Sequence, residues 1–239
     1  MKIRLNRYLS VCGLASRRKS ENLIVSSQIT INGKVSTELQ TIIDTELDVV
    51  LFNGVRIAPQ KYEYYKMNKP RFCLTSMSKQ ETRKTVAALL PQLPVKLFPI
   101  GRLDYDTEGL LLFTNDGTMA HKIAHPSFLV RKVYLTYVEG ATSYALISKM
   151  KKGAKLRDGF LLPENIDVLS SSKDDSLVKI EIHEGRNHIV KNFFKFFKKR
   201  VIKLKRIAVG PIHLGELNPG QITKLDYNEV EALHKLMTL

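Results

Sequence analysis

The sequence predicts an α+β chain in two unequal parts: a small basic module over residues 1–60 and a larger, strand-rich part over 61–239. Three observations carry the regular structure. Residues 110–113 form a short continuous apolar run between Gly109 and the turn signal Thr114-Asn115-Asp116-Gly117, the pattern of an interior strand. Residues 130–138 and 176–182 alternate with the period of two expected of strands. Ile189, Val190, Phe193, Phe194 and Phe197 fall on one helical stripe, with Lys191, Lys195, Lys198 and Lys199 on flanking or opposite faces.

From the amino terminus, Leu5, Tyr8, Leu9 and Cys12 have helical spacing, and Ser16 suits the cap of a second helix ending near Ser26. Ile29 and Ile31 then alternate with polar neighbours ahead of Asn32-Gly33. This pair is a strong hairpin signal, because both residues accept positive φ. Residues 1–34 carry Lys2, Arg4, Arg7, Arg17, Arg18, Lys19 and Lys34 against the single acid Glu21, which suits contact with phosphates. Residues 36–60 are less basic and end in the linker signal Ala58-Pro59-Gln60. Beyond it, residues 62–67 read as a strand running into a loop at Asn68-Lys69-Pro70-Arg71, since Pro70 forces Lys69 out of helical geometry. A short helix over 85–90 closed by Pro91, a strand over 96–100, and helices over 119–124 and 143–150 follow. The strand over 130–138 places Lys132, Tyr134 and Thr136 on one face and Val133, Leu135 and Tyr137 on the other.

Composition narrows the function. A formal charge of +15 and a pI near 9.7 point to a polyanion, with nucleic acid ranked above a membrane because no basic amphipathic helix stands free of the core pattern. No apolar run reaches about 18 residues and the amino terminus lacks the apolar stretch of a signal peptide, so a cytoplasmic protein is expected. Cys12 and Cys73 have neither disulfide-framework nor zinc-knuckle spacing, and both read as reduced core residues. His121 and His125 lie one helical turn apart without a third ligand. His183-Glu184 and His188 have the wrong interval for a zinc protease, so no metal is expected. Glycine-rich dinucleotide and phosphate-loop patterns are absent, so no nucleotide cofactor is expected. Nor is there the triad spacing of a hydrolase.

The segment that organises the chain is Gly101-Arg102-Leu103-Asp104-Tyr105-Asp106-Thr107-Glu108-Gly109, a charged turn at the mouth of the interior strand. By spacing alone it is equally a solvated loop with a local ion pair, and Asp104, Asp106, Glu108 and Asp116 stand as equal candidates. Residues 101–117 match Gly-Arg-Leu-Asp-x-x-Thr-x-Gly-Leu-Leu-Leu-x-Thr-Asn-Asp-Gly, and in this they resemble the bacterial ribosomal-RNA pseudouridine synthases of the RsuA type, including the RluB-like branch. The resemblance extends to Asn68-Lys69-Pro70, to Lys132-x-Tyr134, to Glu184-Gly185-Arg186-Asn187-x-x-Val190-Lys191, and to residues 201–210 and 217–220. Residues 4–35 further resemble the αL RNA-binding domain found at the amino terminus of such enzymes.

The resemblance implies a mixed, mainly antiparallel sheet in the larger domain and isomerisation of one uridine in ribosomal RNA, with a slight lean to the large subunit. The competing readings are a small-subunit target and a non-catalytic ribosome-assembly factor. It implies Asp104 as the catalytic aspartate, Lys191 as its cation and Tyr134 as the ring against the target base. Arg102, which could fill the space a flipped uridine leaves, is expected on the substrate side with Thr107, Lys132 and Arg186. Arg4, Arg7, Arg17, Arg18, Lys19 and Lys34 are expected to bind RNA, and the enzyme to be a monomer without cofactor. Asn192-Phe193 departs from the family's commoner basic residue and methionine.

Overall fold

The computed structural model describes residues 1–78 and 80–236 and divides into two compact units, Met1–Glu63 with Leu93–Lys96, and Tyr64–Gln92 with Leu97–Leu239. In the first unit, β1 (Lys2–Arg4), α1 (Leu5–Val11), α2 (Arg17–Val25), β2 (Ile29–Ile31), β3 (Lys34–Val35), β4 (Ile42–Asp44), β5 (Val50–Phe52) and β6 (Val55–Arg56) follow in order. β1 pairs with β4, and the other strands form an antiparallel sheet in the order β3-β2-β5-β6. The Ser16 hydroxyl caps α2 by accepting from the Lys19 amide, and Asn32 and Gly33 turn the hairpin at φ 49° and 80°. Leu5, Leu9, Ile24, Ile29 and Val50 make the core. Arg4, Arg7, Arg17, Arg18, Lys19 and Lys34 all lie on the surface.

The second unit contains β7 (Tyr64–Lys69), β8 (Phe98–Pro99), β9 (Glu108–Thr114), α3 (Gly117–Ala124), β10 (Lys132–Glu139), α4 (Tyr144–Met150), β11 (Ala154–Leu156), β12 (Gly159–Leu161), β13 (Asn165–Ser171), β14 (Asp175–Ile182), α5 (Ile189–Phe196), β15 (Val201–Val209), β16 (Ile212–His213), β17 (Ile222–Lys224) and α6 (Tyr227–Lys235). Its main sheet runs β13-β14-β10-β15-β9-β7-β17, with β16 added to β15 and β8 to β9. The β9–β15 pair is parallel and the remaining pairs of that sheet are antiparallel, so the fold is α+β with a mixed, mainly antiparallel sheet, as expected. Every residue of β9 is buried, which explains its uninterrupted apolar run. Leu110 and Leu112 join a core with Met119 and Ile123 of α3 and Leu233 of α6, while the stripe of α5 buries Phe193 and Phe194 fully.

Three segments differ from the sequence reading. β7 continues through Asn68 and Lys69 instead of opening into a loop there, because a residue before proline is excluded from the helical region but not from a strand. Asn68 then donates its side-chain amide to the Leu217 carbonyl at 2.7 Å. The expected helix over 85–90 is a single 3-10 turn, Val86–Leu89, and the strand over 96–100 shrinks to Phe98–Pro99. No helix among the described residues is long and apolar enough to cross a membrane.

Gly109 holds the parallel pair together. It sits opposite Arg206 at φ 116°, where a Cβ would lie 2.2 Å from the Arg206 carbonyl oxygen. Gly109→Ala therefore meets both backbone strain and a clash with backbone that cannot swing aside. The substitution should destabilise the protein by about 2–4 kcal/mol in denaturant unfolding.

Candidate active site

The turn before β9 is built from backbone ties. Gly101, at φ 72°, lets the chain leave β8, and the Ile100 amide donates to the Leu112 carbonyl at 2.7 Å. The Thr75 hydroxyl grips Leu103 from both sides, donating to its carbonyl at 2.8 Å and accepting from its amide at 3.2 Å. The Thr107 amide donates back to the Asp104 carbonyl, and the Cys73 amide donates to the Tyr105 carbonyl. With Leu103 buried below it, Asp104 has little freedom beyond its own side-chain torsions.

The four acidic candidates separate by partner. Asp116 caps α3, accepting from the Thr118 and Met119 amides, and also accepts from the Tyr64 hydroxyl at 2.8 Å. Glu108 is buried between Lys205 at 3.0 Å and Lys203 at 3.5 Å. Burial works to raise its carboxyl, but the two lysines outweigh it and hold the group below its ordinary value. Asp104 and Asp106 share Lys191, whose Nζ lies 3.1 Å from Asp104 Oδ2 and 2.5 Å from Asp106 Oδ1. Burial likewise works to raise the Asp106 carboxyl, yet the hydrogen bond and charge of Lys191, helped by Arg71, keep it lowered. His188 Nε2 stands 3.5 Å from Asp104 Oδ1. Lys191 belongs to the first turn of α5, where the helix dipole disfavours a cation, so the two carboxylates offset an unfavourable placement.

Asp104 opens onto a cavity of about 660 Å³ that is also lined by Arg102, Thr107, Lys132, Tyr134, Arg186 and Arg206. Tyr134 and Lys132 lie on the inward face of β10, so the polar face of that strand is the buried one. The Lys132 ammonium donates to the His183 carbonyl at 3.2 Å. Burial, with Arg206 adding to it and Glu184 opposing, brings its pKa down to about 8. The Thr107 hydroxyl is buried without a hydrogen-bond partner. Arg102 is exposed on the rim. Arg186 also reaches the cavity, but its guanidinium is engaged: it donates to both Glu184 carboxylate oxygens, to Asp158 at 3.0 Å and to the Phe160 carbonyl at 3.0 Å. Arg186 thus shapes the wall as much as it faces a ligand.

Several residues in or beside the cavity are not among those the sequence assigns to the site. Arg206 is buried and donates from Nε to the Leu110 carbonyl at 2.8 Å, tying β15 to β9 beneath the site. Its signal was hidden among the neighbouring lysines. Asp106, one of four acids that spacing leaves equal, and His188, which the sequence offers only as a metal ligand, are distinguished by their distances to Lys191 and Asp104. Lys69 is fully buried, donates to the Pro70 and Cys73 carbonyls, and is pushed by burial down to about 8, with Cys73, Asp104 and Asp106 pulling the other way. His121 and His125 stack on each other at 5.0 Å, and His183 pairs with Glu164. Among the described residues no group of three or more metal-ligating side chains occurs.

Residues 63–196 match the family model for RNA pseudouridylate synthase, more than half of the chain. An uncharacterized RNA pseudouridine synthase of Aquifex aeolicus is 42% identical over all of this chain and 96% of its own length. Ribosomal large subunit pseudouridine synthase B of Bacillus subtilis is 37% identical over 98% of this chain and 96% of its own. A crystal structure of a pseudouridylate synthase superposes with a TM-score of 0.67 at 27% identity, covering 97% of this chain and 99% of the other. The matched region contains the loop of Asp104, the Tyr134 strand and Lys191, and relatives align with the chain almost end to end: it belongs to the RNA pseudouridylate synthase family.

Proposed function

We propose that this member of the family isomerises a uridine of large-subunit ribosomal RNA, with Asp104 as the catalytic carboxylate, Lys191 as the cation that orients it and Tyr134 as the ring that receives the uracil. The observation that carries this reading is the position of Asp104: of the four candidate acids, it alone lines the cavity, while an ammonium stands 3.1 Å away. In the reaction the bond from uracil N1 to ribose C1′ breaks and one from C5 to C1′ forms. C5 loses a proton and N1 gains one, so no oxidant, reductant or water is consumed. A cavity walled by fixed polar groups suits this chemistry, because it can hold the detached base while it turns. On this reading Arg102 at the rim fills the space left in the RNA, Lys132 and Arg186 on the cavity wall meet polar edges of the nucleotide, and Thr107 offers it a hydroxyl with no protein partner.

The large-subunit assignment draws on the Bacillus subtilis relative, whose name specifies that RNA. Mapping pseudouridines in ribosomal RNA from cells with and without this protein tests it. One missing pseudouridine in large-subunit RNA is expected, and a loss confined to small-subunit RNA would overturn the assignment.

The amino-terminal unit is proposed to act as an αL RNA-binding domain over residues 1–60. Arg17, Arg18 and Lys19 crowd the first turn of α2 without an acid among them, an arrangement that repels its own helix dipole and invites phosphate. Replacing all three by Gln should weaken RNA binding and reduce the slope of log Kd against log salt by about two to three. An unchanged slope would remove these residues from the interface, and an unchanged single-turnover rate at saturating enzyme would separate affinity from chemistry.

A further inference from the structure

Beside the cavity mouth lies a feature that the reaction itself does not require. Phe72 is 56% exposed and its backbone sits at φ 57°, a left-handed conformation that a bulky side chain adopts only at a cost. Its ring meets that of Tyr105, also partly exposed, at 5.8 Å and 62°. A guanidinium covers each ring, Arg71 over Phe72 at 5.0 Å and Arg83 over Tyr105 at 5.3 Å. Hydrogen bonds tie the two loops together. The Arg71 Nε donates to the Asp106 carbonyl, the Cys73 amide donates to the Tyr105 carbonyl, and the Lys69 ammonium holds the Pro70 and Cys73 carbonyls. The strained loop carrying Phe72 is thereby locked to the loop carrying Asp104.

We propose that Phe72 and Tyr105, backed by Arg71 and Arg83, form a stacking platform for an unpaired RNA base adjacent to the nucleotide that enters the cavity. Aromatic faces bind bases of any sequence, and the flanking cations match the phosphates on either side. Tyr105 directly follows Asp104 and lines the cavity, so a nucleotide held there is the immediate neighbour of the target. This inference rests on RNA as the substrate but on no particular ribosomal target. It requires the neighbouring base to be out of the duplex, and so favours uridines in loops or bulges.

Phe72→Asn is the informative variant, because Asn accepts positive φ more readily than Phe and the substitution removes the ring without adding backbone strain. With the full chain, Kd would be measured for a short oligouridylate and for a ribose-phosphate chain of equal length lacking bases, each across a salt series. The wild type is expected to prefer the base-bearing chain. Phe72→Asn should lose about five- to a hundredfold in affinity for oligouridylate, with the baseless chain and both salt slopes unchanged and Phe72→Trp restoring the preference. Three results would overturn the platform: no preference in the wild type, an oligouridylate Kd that Phe72→Asn leaves unaltered, or equal losses for both chains, the mark of a purely electrostatic surface. Because no modified position is mapped, failure here is distinguishable from failure of the large-subunit assignment.

Discussion

Asp104→Asn is expected to lower pseudouridine formation under single-turnover conditions by at least about a thousandfold, while folding and RNA affinity stay close to wild type. The substitution preserves shape and removes only the charge. Fold stability does not depend on that charge, since Leu103 beneath it, the Thr75 clasp and the buried strand β9 are untouched. Lys191 is not orphaned either, because its 2.5 Å contact with Asp106 remains. Asp106→Asn is the matched control. It alters a half-exposed carboxylate on the same lysine that does not line the cavity, and should change the rate far less than Asp104→Asn. Near wild-type turnover by Asp104→Asn, or equal losses from both variants, would remove Asp104 from the catalytic role.

Lys191→Met should slow the chemical step by roughly ten- to a thousandfold, corresponding to about one to four kcal/mol of oriented electrostatics, and Lys191→Arg should retain most activity. A second readout reports on the charge cluster itself. Asp106 is lowered because Lys191 outweighs burial, so removing the ammonium leaves burial dominant and the Asp106 carboxyl must move upward. A depressed carboxylate stabilises the fold above its unfolded pKa and loses that contribution as pH falls through the folded one, so the variant should be less sensitive to acid across that window. Carboxyl-carbon NMR titration checks the shift. If Lys191→Met weakens RNA binding yet leaves the single-turnover rate unchanged at saturating enzyme, the lysine is a phosphate contact and Asp104 lacks the proposed partner.

Residues 110–113 were legible as an interior strand because both faces of β9 are buried, which removes any need for alternation. The five-residue stripe of α5 was equally plain. β15 was recognisable only as a family pattern, because Lys203, Lys205 and the inward-turned Arg206 interrupt its apolar alternation: Arg206 reaches the Leu110 carbonyl, and Lys205 reaches Glu108 on the neighbouring strand. In the site, four carboxylates within residues 104–116 look alike in sequence. What sorts them is long-range pairing, with lysines at 191, 203 and 205 and with Tyr64, and no local pattern encodes that. The resemblance to known synthases supplied a choice among them that composition and spacing did not.

The single parallel pairing in the middle of the main sheet has a consequence for how the protein comes into being. β9 and β15 are separated in sequence by β10 to β14 and α3 to α5, so the pair that seats the Asp104 loop cannot close until the chain has passed Arg206. β17, which covers the outer edge of β7, comes later still. A growing chain therefore presents the paired β7 and β9 with incompletely covered edges while β10 to β14 are made, and folding of this unit is dominated by distant contacts that close slowly. The acid and its lysine come together only near the end of translation. Until then the nascent chain carries its cations without a working site, and its amino-terminal basic unit is complete in sequence long before the catalytic one.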